Sequence, residues 1–153
     1  MLRPLDEARQ EVRRSIKLGE SLGHAAEPWN TWAILADIET DAGNATAAVE
    51  AKRKAVERYL AYRRDGGENH TGPGRLVFDM TERFRAGGPA AATSFLQQLA
   101  GDSKLAGLRP FIQALQTIVA GSRDRALADA PDLDYSMAAE ILFLIETLEK
   151  QGR

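Results

Sequence analysis

A chain of 153 residues, 44% of them hydrophobic, is long enough to bury the core of one domain. Its 20 Lys and Arg against 22 Asp and Glu leave a formal net charge of -2, which excludes the broad positive field that would hold a nucleic acid or an anionic membrane. With no cysteine there is no disulfide, thiolate zinc site or cysteine nucleophile, and a reducing, cytoplasmic setting is expected.

The opening residues, Met1 to Glu7, lack the apolar run of a signal peptide, and no stretch approaches the roughly 20 apolar residues that span a bilayer. Alanine is abundant and no period-two alternation lasts long enough for a strand, so helices alone are expected. The first runs from Leu5 to Leu22, with Ala8, Val12, Ser15, Gly19 and Leu22 on one face and Arg9, Arg13, Arg14 and Lys17 on the other. Pro28 opens a second, which carries Trp29, Trp32, Leu35, Ala36 and Ile38 up to a stop at Gly43-Asn44. A third, Ala45 to Arg64, turns Ala48, Ala55, Val56, Tyr59 and Tyr62 inward. After the breaker Asp65-Gly66-Gly67, a fourth runs from Arg75 to Arg85 with Leu76, Val77, Met80 and Phe84, and stops at Gly87-Gly88. Pro89 opens a fifth with Ala92, Phe95, Leu96 and Leu99 inside, and a sixth spans Leu105 to Ala120. Beyond a polar loop from Gly121 to Leu133, Asp134 caps a seventh that holds Ala138, Ile141, Leu142, Ile145 and Leu148. No linker is biased enough to divide domains, so residues 1–153 are expected to form one.

Self-similarity at a fixed period decides the architecture. Trp32, Leu35 and Ala36, followed by Gly43, Ala48 and Ala55, reproduce the spacing of aromatic and small residues in a tetratricopeptide repeat, and the chain resembles that family. A fainter second copy follows about 45 residues on at Val77, Met80, Thr81, Phe84, Gly88, Thr93 and Ala100, while Ala8 and Ser15 match Ala48 and Ala55 one period earlier. The chain therefore reads as beginning in mid-repeat, either as the C-terminal part of a larger bacterial repeat protein or with a first helix that serves as an N-terminal cap. The pattern departs at Glu39, Lys52 and Leu60, where the family favours Tyr, Phe and Pro. The resemblance covers residues 5–100, and 105–151 is a divergent C-terminal helix pair. It implies an all-α, right-handed solenoid of about seven helices in antiparallel pairs, whose first helices line a concave groove that receives a peptide or helix of another protein. Carried onto this chain, the groove positions are Asn30, Ala33, Asp37 and Thr40 from one repeat and Arg75, Phe78, Glu82 and Arg85 from the next.

Chemistry-bearing residues are few. The loop from Arg64 to Arg75 gathers Arg63, Arg64, His70 and Arg75 where a helix begins with free N–H groups, an arrangement that suits an anion or small molecule. Gly67-x4-Gly72 is followed by Pro73 and no strand precedes it, so it is not a phosphate loop, and an ordered connector is the competing account. The two histidines, His24 and His70, stand far from any ligand pattern, and neither metal nor cofactor is expected. Asp37, Glu39 and Asp41 sit two apart on a helix, point in different directions, and read as a solvated face. No serine has a nucleophile-elbow context and no catalytic residue is assigned. Of the two tryptophans, Trp32 is expected in the core, with Trp29 divided between packing and an exposed anchor. Ile141-Leu142-Phe143-Leu144-Ile145 is apolar around most of its circumference, which leaves burial inside the domain and a homodimer contact both open.

Overall fold

The computed structural model describes residues 3–152. Among them are six α-helices, three short 3-10 segments and no strand, and no helix is long and apolar enough to cross a membrane. The chain divides between Gly66 and Gly67, inside the predicted breaker, into two compact units.

The first unit contains α1 (Pro4–Gly19), a 3-10 connector (Glu20–Ala26), α2 (Pro28–Asp41) and α3 (Ala45–Arg64). Pro4 and Pro28 each stand in a first turn, where a missing N–H is no loss. Between α2 and α3 the stop is a Schellman turn: Gly43, at φ 78, donates its N–H to Thr40, and Asn44 donates to Glu39 at 2.8 Å. Directions follow from the side chains. Trp29, at the start of α2, lies 5.5 Å from the Tyr59 ring and 4.8 Å from Tyr62, both near the end of α3, so the pair is antiparallel. Arg9 of α1 bonds to Glu39 near the end of α2, so α1 and α2 are antiparallel as well. Ala51 and Ala55, at 2% and 0% exposure, let α3 approach its neighbour closely, and Trp29 and Leu35 are the buried apolar residues of α2.

The second unit contains α4 (Gly72–Ala100), a 3-10 segment (Ser103–Leu108), α5 (Arg109–Val119), another (Arg125–Asp129) and α6 (Tyr135–Gln151). The fourth and fifth predicted helices follow one another inside α4 without a loop, but Gly88 between them is not helical, so they are two helical segments as predicted. The predicted stop is a sharp kink, with Gly88 at φ 72 and ψ -168. On a straight helix Arg83 and Phe95 would be about 18 Å apart, yet the Arg83 guanidinium sits 4.4 Å from the Phe95 ring centre. The predicted sixth helix loses its first residues to a 3-10 segment. Pro110 explains this: in a helix begun at Leu105 it would leave a hydrogen bond unmade and collide with the preceding turn, whereas in the first turn of α5 it does neither.

Helices α4, α5 and α6 all pack on one another. Leu96, Phe111, Ile112, Leu115, Ile118, Ile141 and Ile145 are fully buried between them. The apolar run in α6 is taken up there, with Ile141, Leu144 and Ile145 buried and Leu142 and Phe143 half-buried. Asp134 caps α6 as predicted, accepting from the Met137 N–H at 2.8 Å. Arg125 pins the loop before it by two hydrogen bonds to Glu149, at 3.0 and 3.2 Å.

Candidate functional site

In α2, Asn30, Ile34, Asp37 and Asp41 recur at i, i+4, i+7 and i+11 and form one stripe, with Leu35 and Glu39 buried on the opposite side. Of the predicted positions, Asn30, Asp37 and Thr40 are exposed and Ala33 is half-buried. Ile34, which the repeat pattern does not single out, is 52% exposed at the centre of the stripe. Neither Asp37 nor Asp41 forms a salt bridge among the described residues.

The first half of α4 has the same plan. Leu76, Val77 and Met80 are buried, while the predicted Arg75, Phe78, Glu82 and Arg85 are all exposed. Phe78 is 65% exposed, and Arg85 is paired with Glu82 at 3.3 Å. Each unit thus presents a helix whose outer side sets one large apolar side chain among polar ones.

The four residues of the anion-site reading are split by the chain's division. Arg63 and Arg64 end α3 in the first unit, and His70 and Arg75 lie in the second. His70 is among the most exposed side chains, with Nε2 3.2 Å from Glu68. The loop around it is a tied connector. Asn69 donates from Nδ2 to Glu140 at 3.1 Å and to Ser136 at 3.4 Å, and its Oδ1 accepts from the Thr71 N–H and hydroxyl. Thr71 caps α4 by accepting from the Gly74 N–H at 3.3 Å, so one donor at that helix start is already used. Gly74 is required there: a Cβ on it would lie 2.5 Å from both the Asn69 side chain and its carbonyl oxygen.

Two buried carboxylates escape the sequence patterns. Glu39 is 3% exposed and not part of a solvated face. Its Oε1 accepts from Arg9, which the periodicity assigns to water and which also bonds to Asp6 at 2.8 Å, and its Oε2 accepts from Asn44 at 3.4 Å. These bonds raise the Arg9 guanidinium above its ordinary value, the one to Glu39 most. Glu140 is fully buried and held by Asn69. Both obey the rule that a buried polar group has a hydrogen-bonded partner.

At the other end of the first unit, the tryptophan expectation reverses: Trp29 is buried and Trp32 half-buried. Trp29 is the hub of a cluster with His24, Tyr59 and Tyr62. His24 Nε2 meets Asp65 at 2.7 Å, and among the described residues Asp65 is the ring's one hydrogen-bond partner, so the pair lacks the hydroxyl of a nucleophilic triad. Among the described residues no three His, Asp or Glu side chains converge as metal ligands. Beside the α2–α3 turn lies an open depression of about 740 Å³, lined by Glu39, Asn44, Thr46, Ala47 and Glu50.

Comparison with family models, with curated proteins and with solved structures finds no match to this chain.

Proposed function

We propose that this chain is a tetratricopeptide-like interaction module, part of a larger scaffold, that holds another protein and carries out no reaction itself. The observation that supports it best is the pair of exposed apolar side chains, Ile34 at 52% and Phe78 at 65%, each centred on the polar side of a helix whose other side is buried. Anchors of this kind, rimmed by polar groups, are what interfaces use. The antiparallel α2–α3 hairpin is the arrangement that the repeat spacing implies, with the predicted Ala55 buried in it, although Ala51 and not the predicted Ala48 is its other buried small residue. Asp37 beside Ile34 and Arg75 beside Phe78 each supply their own unit's face with a charge that can orient a partner.

The test is direct. A protein recovered with the wild-type chain is titrated against the Asp37→Ala/Arg75→Ala double variant. Its affinity falls about tenfold, as expected for two interfacial charges, while helicity and melting temperature stay unchanged. An unaltered affinity would discard both faces as the binding surface. The rival, an anion sensor at the Arg64 to Arg75 loop, requires a thermal shift with phosphate or a nucleotide that is lost on Arg75→Ala.

A further inference from the structure

Resting on α2 as an interaction face, we propose that its outer side takes a basic amphipathic helix of a partner protein. Fourteen residues of α2 include three acids and no base. Of the acids, Glu39 is turned inward to Arg9, which leaves Asp37 and Asp41 on the surface, one and two turns beyond Ile34. Neither forms a salt bridge among the described residues, and Arg9, the cation that does bond to this helix, is spent on Glu39 and Asp6.

Past Asp41 the chain turns at Gly43 beside the 740 Å³ depression, where Glu50 is paired with Arg53, so the unpaired acids of this side are Asp37 and Asp41. A partner helix suits this pattern by geometry. From Ile34 to Asp41 is seven residues, about 10.5 Å, the length of two turns, so one apolar residue with Lys or Arg three, four and seven positions on meets Ile34, Asp37 and Asp41 together. Acids of one sign repel a nucleic acid or an anionic membrane, and no group of metal ligands converges among the described residues.

The experiment uses the full chain and a fluorescein-labelled synthetic helix of Leu and Lys in amphipathic order, with a Leu/Glu counterpart, read by anisotropy. The basic helix binds and the acidic one does not. Asp37→Lys with Asp41→Lys weakens binding about tenfold, as does raising ionic strength from about 0.05 M to about 0.5 M, where the Debye length shortens. Ile34→Ser weakens it without moving the circular dichroism spectrum. Failure of the basic helix to bind overturns the inference, as does equal binding of the acidic one. Binding that ignores the α2 changes and is lost on Phe78→Ser overturns it too, but leaves the interaction module standing on α4. Self-association of the wild-type chain that Ile34→Ser abolishes names a second copy as the occupant and likewise overturns it.

Discussion

Replacing Gly74 by alanine tests how the second unit holds its connector. The added methyl would stand 2.5 Å from Asn69 Cγ and 2.5 Å from the Asn69 carbonyl oxygen. Because backbone is one of the two, the clash cannot be relieved by swinging the end of a flexible side chain. Overpacking of this sort costs about 2 kcal/mol. Asn69 must also shift relative to Glu140, which is fully buried and accepts its 3.1 Å hydrogen bond, and leaving a buried polar group short of a partner costs about 2 kcal/mol more. The better helix propensity of alanine returns about 1 kcal/mol. The net loss is about 3 kcal/mol, a fall in melting temperature of about 9 °C for a chain of this length. Gly72, two residues earlier in the same turn, is the control, since nothing lies within 4 Å of a Cβ built there. Gly72→Ala should stay within about 1 kcal/mol of wild type. Thermal melts of both variants followed by circular dichroism decide the matter, and coincident curves would refute the Asn69 tether.

Gly88→Ala should cost about 2 kcal/mol in urea unfolding, because φ 72 with ψ -168 is open to glycine alone; an unchanged midpoint would show that α4 does not need its kink. Leu144→Glu places a charge at a position 3% exposed and should cost about 4 kcal/mol or more, which cooperative, wild-type-like melting would contradict. That substitution therefore probes the core of the second unit, and light scattering on it cannot report on a dimer face. Arg53 holds the Glu50 carboxyl below its ordinary value, chiefly through their hydrogen bond, so the pair's stabilisation is complete above the ordinary glutamate value of about 4.3 and is lost as pH falls through the lowered folded value. Arg53→Met should accordingly lower the melting temperature at neutral pH, with the gap from wild type closing below about pH 4; a gap independent of pH would rule the pair out as its source.

Punctuation was the legible part of this sequence. Gly43, Gly121 and Asp134 mark helix ends through local chemistry, namely a left-handed turn or a side-chain cap, and local chemistry is written in consecutive residues. Gly88 was legible as a break between two helical segments for the same reason, since only glycine takes its backbone angles readily. The buried carboxylates were not legible at all. Periodicity sends every acid to water, and what overrules it lies far off: Arg9 is 30 residues from Glu39, and Asn69 is 71 from Glu140. The ranking of Trp29 and Trp32 failed for a related reason. Both fit an inward stripe of α2, and only the register of α3, which brings Tyr59 and Tyr62 to the first turn, selects Trp29.

The same register explains why Ile34 stays in water. Helix α2 is fixed at both ends, by Trp29 among aromatic rings at one and by Glu39 between Arg9 and Asn44 at the other, about 15 Å apart along the helix. Rolling α2 far enough to bury Ile34 would draw Trp29 from Tyr59 and Tyr62 and strip a buried carboxylate of its cation, a loss far larger than the gain from covering one side chain of about 2 kcal/mol. The exposure is therefore imposed by the fold. A partner arriving at this face meets Ile34, Asp37 and Asp41 already held in line on a rigid helix, and the ordering cost that a flexible site would subtract from affinity does not arise on this side of the contact.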